Sequence, residues 1–282
     1  MQSMQSIFKS GNKAIVTGAA MGIGKATAMH MASIGMHVCM VDLLADELKV
    51  ALTEARASAE AAGHSTDKIF ATEMDVAGQD SWPKLRKQIN QQFGQLHVLM
   101  NNAVTREGKG FDVPLAEWRE AMEINFWSIV NGIETFLPII QKTQEKTCII
   151  NVGSKQGITN PPGHPIYNIS KSALKTYSEQ LAHRFRNDSD FIETSVHLLV
   201  PGWTTTGKNE HNPGAWLPQQ VVDRMISEID KEVFYIVCPD NEVSEAMDAK
   251  RILWGAADIT EKRPPLSRWH EKFKDGAADA CN

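Results

Sequence analysis

Short apolar runs punctuate the chain, and most are followed by a longer stretch in which apolar positions recur every three to four residues. The runs at Lys13–Thr17, His37–Asp42, Lys68–Asp75, His97–Met100, Thr147–Val152, Glu193–Val200 and Val233–Cys238 predict strands. Helical spacing marks Gly22–Ile34, Ala45–Ala62, Gln79–Phe93, Pro114–Gln141 and Tyr167–Arg186 between them. Runs such as Val38-Cys39-Met40-Val41 are continuous rather than alternating, as expected of strands buried on both faces. Repeated β-α-β units of this kind predict a doubly wound α/β fold, a parallel sheet with helices on both faces. Its ligands would lie at the carboxyl ends of the strands.

Pro201–Leu217 breaks the rhythm with several Gly and Pro residues and two tryptophans, and reads as a long loop over a site. A further helical pattern covers Glu242–Ile259, followed by a Pro-Pro break. In the tail, Leu266–Asn282, Trp269 and Phe273 predict that the first part docks while the end frays. No linker rich in Pro, Gly or Ser divides the chain. The expectation is one domain over residues 1–282, a core of about 10–240 carrying a C-terminal extension from 241.

Composition adds exclusions. Over 282 residues, 42% hydrophobic and 22% charged content suits a globule with a sizeable core. A net charge of −5 gives no electrostatic reason to expect nucleic acid or an anionic membrane surface. The start, Met1–Lys13, is short and polar, no run is long enough to span a membrane, and the four cysteines are scattered without a CxxC pair. A reduced, cytoplasmic protein is the simplest expectation. The nine histidines show no HExxH or paired Cys/His spacing, so no metal site is expected.

The chemistry concentrates in a few places. Tyr167 and Lys171 stand four apart, on one face of a predicted helix, and Ser154 lies upstream at the end of a predicted strand. A tyrosine titrating near ~10 is a poor acid or base at neutral pH. A cation alongside favours the phenolate, which makes Tyr167 a candidate general acid/base, with Ser154 available to polarise a carbonyl. The structural alternative is a half-buried ring beside a solvated charge.

Thr17-Gly18-Ala19-Ala20-Met21-Gly22-Ile23-Gly24 follows the first strand and opens the first helix. Its spacing, GxxxGxG, differs from the common GxGxxG. A turn of this kind can still approach a pyrophosphate through Gly18, Met21, Gly22, Ile23 and Gly24 at the helix N-terminus. Asp42 ends the second strand about 20 residues on, where an acid binds the adenosine ribose diol. Neither Met21 nor Leu43 is basic, so a 2′-phosphate would find no partner and NAD is favoured over NADP; the alternative for Asp42 is a helix cap. Asp75-Val76 could meet adenine or form a turn. Asn101-Asn102-Ala103 could fix the loop and touch the cofactor, or be an ordinary turn. Asn125 is polar in an apolar helical stretch, and either satisfies a backbone carbonyl at a kink or holds a water for proton relay.

Taken together, TGxxxGxG at Thr17–Gly24, NNA at Asn101–Ala103, Asn125, Ser154, YxxxK at Tyr167–Lys171 and Pro201-Gly202 resemble the short-chain dehydrogenase/reductase family in order and spacing. The resemblance covers residues of about 10 to 240. It implies a Rossmann-like domain in which Asn125, Ser154, Tyr167 and Lys171 form the catalytic tetrad. It also puts Lys171 on the nicotinamide ribose, and Asn102, Ala103, Pro201, Gly202, Thr204 and Thr206 around the nicotinamide dinucleotide. The implied activity is NAD(H)-dependent interconversion of a secondary alcohol and a ketone. A non-catalytic dinucleotide-binding regulator on the same fold is the alternative from another class, and an epimerase or dehydratase using the same Tyr/Lys pair is a third. Val104 replaces the usual glycine after NNA, and Pro239-Asp240-Asn241 stands where the family has Gly-Gly.

Arg106, Gln156, Pro161, Pro162, His164, Trp203 and Trp216 are candidates to line a substrate pocket. The apolar faces of the two long helices, with Phe126, Trp127, Ile133 and Phe136 on one and Leu174, Tyr177, Leu181 and Phe185 on the other, exceed what one sheet face can cover. In related enzymes such helices pair across a twofold axis, so a homodimer or homotetramer is expected.

Overall fold

The computed structural model describes residues 6–191, 193–207 and 210–281. Seven strands form one fully parallel sheet: β1 (Lys13–Thr17), β2 (His37–Asp42), β3 (Ile69–Glu73), β4 (Val98–Asn101), β5 (Thr147–Val152), β6 (Thr194–Val200) and β7 (Tyr235–Val237). Their spatial order is β3-β2-β1-β4-β5-β6-β7. The order reverses between β1 and β4, where Ala14 pairs with Val98 and Val16 with Met100, so a ligand crevice opens at the carboxyl ends of these two strands.

Successive strand residues feed opposite faces. Val16, Val38, Met40 and Ile150 pack with α1 (Gly22–Ser33), α2 (Ala45–Ala61) and, later in the chain, Val221, Val222 and Met225. Ile15, Cys39, Leu99 and Ile149 pack on the other face with α3 (Ser81–Gln92) and with Ile133, Phe136, Leu174 and Phe185. This is the expected Rossmann-like doubly wound sheet with helices on both faces.

Several boundaries shift, and they shift for physical reasons. The third strand stops at Glu73, so Asp75 lies two residues past its end. The last strand, at one edge of the sheet, shrinks to three residues. The predicted helix Pro114–Gln141 is three pieces: α4 (Leu115–Met122), a π-helical turn (Glu123–Trp127) and α5 (Ser128–Thr143). After a short α6 (Gln156–Thr159), the helix that carries Tyr167 begins earlier than predicted, as α7 (Pro165–Asn187), with its proline in the first turn, where no N–H is needed. A helix missed in the sequence, α8 (Pro218–Ile229), buries Val221, Val222, Met225 and Ile229. Beyond β7 come α9 (Glu245–Thr260), a 3-10 turn (Ser267–Trp269) and α10 (Lys274–Cys281). The first part of the tail docks, but through Ser267, which is fully buried and hydrogen-bonded to Trp254 and Asp258, while Trp269 is 41% exposed; the expected fraying is corrected, since Ala277 and Cys281 are buried.

The apolar helix faces also need correction. Ile133, Phe136, Leu174, Leu181 and Phe185 are spent on the sheet, which leaves the partly buried Phe126 and Tyr177 and the exposed Trp127 and Ile169 facing outward. Among the described residues, no helix is long and apolar enough to cross a membrane.

Candidate active site

The Gly-rich turn is pinned before any ligand is considered. Thr17 Oγ1 accepts the amides of Asn102 (2.9 Å) and Ala103 (3.1 Å), and Asn102 Nδ2 donates to the Thr17 and Gly18 carbonyls at 3.0 Å each. The Asn102 side chain therefore brackets the turn, which is the loop-fixing role expected of the NNA motif. Gly18 sits at φ +65°, and a Cβ there would come within 2.7 Å of Asn102 Nδ2; one at Gly24 would collide with the Gly18 carbonyl. Met21 caps α1 without a side-chain hydrogen bond, and the first turn holds no acid. The leading amides of α1 are thus free for an anion, and the backbone of Thr206 lies against Gly22, closing the cleft from the other side. These features fit the pyrophosphate of a dinucleotide.

Asp42 does not cap α2, whose N-cap is Leu44. One carboxylate oxygen accepts the Ala20 amide at 2.9 Å and the other the Leu44 amide at 3.1 Å. The carboxylate is held at the rim of the Gly-rich turn with its remaining lone pairs unclaimed. Asp75 is exposed, accepts the Ala77 amide at 2.9 Å, and precedes the buried Val76.

Asn125 falls inside the π-helical turn, a local widening that aims it out of the helix ladder. It is fully buried, accepts the Thr105 N–H at 2.9 Å, and donates to the Thr105 carbonyl (3.0 Å) and Ser170 Oγ (3.2 Å). Of the two alternatives, the backbone one is what the geometry shows. The backbone satisfied is the facing β4–α4 loop rather than the helix itself. This clamp fixes the residue beside it, Arg106, whose guanidinium carbon stands 5.2 Å from the centre of the Tyr167 ring.

The α7 helix is tied along one edge to the segment after β5. Asn168 Nδ2 donates to Pro161 O (2.7 Å) and Asn160 Oδ1 (3.0 Å), Ser172 Oγ to Gly157 O (2.9 Å), and Lys171 Nζ to Val152 O (2.8 Å). Lys171 is buried with its ammonium 5.8 Å from the Tyr167 ring centre, and Tyr167 is 6% exposed. Burial, with a smaller contribution from the nearby Arg106 guanidinium, drives the Lys171 ammonium down to about 7. Ser154, just past β5, accepts the Gln156 amide at 3.2 Å and so keeps its own proton to donate. Lys171 thus reaches the carboxyl end of β5, just past which Ser154 lies, with the Tyr167 ring beside its ammonium.

Pro201-Gly202 leads from β6 into a loop stitched by a Thr204–Trp216 bridge, with the Thr205 amide on Trp216 O (2.9 Å) and the Trp216 amide on Trp203 O (2.8 Å). Trp216 packs on the core while Trp203 remains 46% exposed. Val104, the departure after NNA, is 47% exposed. A groove lined by Lys146, Thr147, Thr194, Ser195 and Tyr235 lies elsewhere, at the opposite ends of the strands. Among the described residues no group of three or more His, Cys, Asp or Glu could hold a metal ion, and all four cysteines are free and buried.

A family model for short chain dehydrogenase matches residues 12–214. The chain belongs to the short-chain dehydrogenase/reductase family. It is 29% identical over 195 residues to a "CLA biosynthesis dehydrogenase/reductase" of Lactiplantibacillus plantarum, covering 68% of this chain and 64% of that protein, a little under two thirds of its length. It is 28% identical over 208 residues to a 3-oxoacyl-acyl-carrier-protein reductase of Thermotoga maritima, covering 72% and 78%. In fold it is similar to a short chain dehydrogenase/reductase from Burkholderia phymatum solved with NAD (TM-score 0.78, 24% identity, 91% and 96% covered). An alcohol dehydrogenase from Thermococcus sibiricus complexed with 5-hydroxy-NADP is also similar (TM-score 0.68, 19% identity, 78% and 91% covered). The family is one of oxidoreductases that bind a nicotinamide dinucleotide, and its members account for the Gly-rich turn and the Tyr/Lys helix.

Sequence reasoning missed three charged groups beside this site. Lys155, next to Ser154, lies against Asp240 and Asp248 from beyond β7. The sequence marked Asp240 only as part of the Pro239-Asp240-Asn241 departure and gave no sign of the contact, which joins residues more than eighty positions apart.

Proposed function

We propose that this chain is an NAD(H)-dependent oxidoreductase interconverting a secondary alcohol and a ketone. The observation that carries the reading is the buried Lys171 ammonium beside the Tyr167 ring, on one helix face, at the end of the strand that delivers Ser154. The bound dinucleotide would supply or accept the hydride. Tyr167 moves the proton to or from the substrate oxygen, and Ser154, its own hydrogen free, donates to that oxygen and orients it. Lys171 favours negative charge on the phenol and serves the nicotinamide ribose. Asn125 acts through Thr105, holding the loop that flanks the ring. Relatives named as a dehydrogenase/reductase and a 3-oxoacyl reductase support carbonyl–carbinol chemistry.

Gly18, Met21, Gly22, Ile23 and Gly24 would hold the pyrophosphate, Asp42 the adenosine ribose, and Asp75 and Val76 the adenine. Asn102, Ala103, Pro201, Gly202, Thr204 and Thr206 would surround the nicotinamide end. Asp42 supports NAD(H) over NADP(H): a 2′-phosphate there meets a fixed carboxylate, and Leu43 beside it is 59% exposed and uncharged. The assembly supported best is a homodimer through Phe126, Trp127, Ile169 and Tyr177.

The test is a panel of cyclic, aryl and 3-oxo substrates with NAD(H), read at 340 nm, for the wild type and Tyr167→Phe. Turnover of at least one pair by the wild type and its near-complete loss in a variant that still binds NADH is expected. Equal turnover by Tyr167→Phe would remove this residue from the chemistry.

A further inference from the structure

The helix α9 is anchored in an unusual way. Of its sixteen residues, the one that is fully buried is an acid, Asp248, while Leu253 and Ile259 are 69% and 83% exposed. The apolar residues Met247, Ile252, Trp254 and Ala257 are only half-buried, and the fully covered contact of α9 is polar. That contact is charged: Asp248 lies 2.6 Å from Lys155 Nζ, and Asp240 lies 3.4 Å from the same nitrogen. The side chains of Lys155, Asp240 and Asp248 are 18%, 5% and 6% exposed.

Each member of this cluster is fastened to a different part of the cleft. Lys155 follows Ser154 directly, and its backbone carbonyl accepts the Ile158 amide at 3.0 Å in the α6 turn. One Asp240 oxygen accepts the Trp203 amide (3.0 Å) and the other the amides of Glu242 (3.1 Å) and Val243 (2.8 Å). A Cβ on Gly202 would sit 2.7 Å from that first oxygen, so the glycine lets the Pro201-Gly202-Trp203 turn press onto the acid. Asn241 adds a second fastening, donating to Pro213 O (2.7 Å) in the same loop. Asp240 and Asp248 both lie beyond residue 214, where the family match stops.

We infer that the segment after β7 is a working part of the active site: through Asp248 and Asp240 it grips Lys155, and so holds Ser154 and the Gly202–Trp203 turn in one register. Lys155, Asp240 and Asp248 are positioning residues; none is required to touch substrate. The inference rests on the oxidoreductase reading for its effect on turnover, and on the ion cluster alone for its effect on backbone order.

The experiment compares full-length wild type, Asp248→Asn and Ser244→Ala by amide hydrogen exchange, NADH binding and steady-state kinetics. Ser244 caps α9 by accepting the Met247 amide at 3.2 Å on its side chain, so Ser244→Ala weakens the helix start while leaving all three charges and the Ser244 carbonyl that accepts the Asp248 amide in place. In Asp248→Asn, the amides of 156–158 and 203 should exchange roughly tenfold faster, while those of β1 and β4 stay at the wild-type rate. Turnover should fall about tenfold with NADH affinity held within about twofold, since the Gly-rich turn is untouched. Ser244→Ala should show neither effect, and Asp248→Glu should restore part of both. Should Asp248→Asn not fold, Lys155→Gln reads the same two segments from the other end of the contact. Wild-type exchange at both segments in the charge-neutral variant would overturn the inference, as would an equal effect from Ser244→Ala. A wild type inactive on every substrate of the panel would instead refute the oxidoreductase reading, and exchange would still decide this one.

Discussion

Lys171 provides a prediction whose size follows from its surroundings. Its ammonium is buried, donates to a single carbonyl at 2.8 Å, and titrates at about 7. At pH 7.5 such a group is only about one quarter protonated, whereas at pH 6 it is about nine tenths protonated. A dinucleotide whose ribose hydroxyls accept from Nζ favours the charged form and raises the value again. NADH binding should therefore take up about 0.7 proton at pH 7.5 and about 0.1 at pH 6. Isothermal titration in phosphate, HEPES and Tris reads this directly, as the slope of observed heat against buffer ionisation enthalpy. The uptake should vanish in Lys171→Met. In Arg106→Ala, which removes the second cation, the onset should move to higher pH. No uptake at either pH, or undiminished uptake in Lys171→Met, would refute the argument that this lysine meets the cofactor.

Other expectations concern the same framework. Lys171→Met should raise the melting temperature most below pH 7, with the gain shrinking as pH rises toward 10.5: folding lowers this ammonium, so its burial cost is fully present at low pH and fades as the lysine deprotonates. Asn125→Ala strands both backbone groups of Thr105 and should cost about 2–5 kcal/mol in urea unfolding; a loss below about 1 kcal/mol would count against the clamp. NAD(H) should be preferred over NADP(H) by about a hundredfold or more in kcat/KM, and equal values would sink the role given to Asp42. Light scattering at micromolar concentration should give at least a dimer, split by Trp127→Glu; a monomeric mass with activity intact would contradict it.

How far the sequence was legible depended on the range of the interaction involved. The doubly wound parallel sheet followed from β-α-β alternation, and Thr17–Gly24 and Tyr167–Lys171 were readable because each is a local device, a turn and a helix face. Asn125 stood out as a polar residue in an apolar stretch, but its partner, Thr105, lies in another loop and could not be named. The helix Pro218–Ile229 was missed because Pro-Gln-Gln opens it with polar residues, and its apolar positions bury against β7 and α1 only in three dimensions. The tail was misjudged in part: Trp269 looked like an anchor, while Ser267 and the small residues Ala277 and Cys281 make the close contacts. The Lys155–Asp240–Asp248 contact could not be read, since nothing in a linear pattern reveals a contact between Lys155 and a helix ninety residues on.

The central claim is hydride chemistry at Tyr167, and isotope transfer tests it most directly. NADH carrying deuterium at C4 is incubated with a panel of cyclic and aryl ketones, and the products are analysed by mass spectrometry. The account predicts deuterium on the carbinol carbon, in proportion to NADH consumed, with the label absent from products of Tyr167→Phe. Tight NADH binding with no deuterium transferred to any ketone would contradict it and leave a dinucleotide-binding protein without turnover.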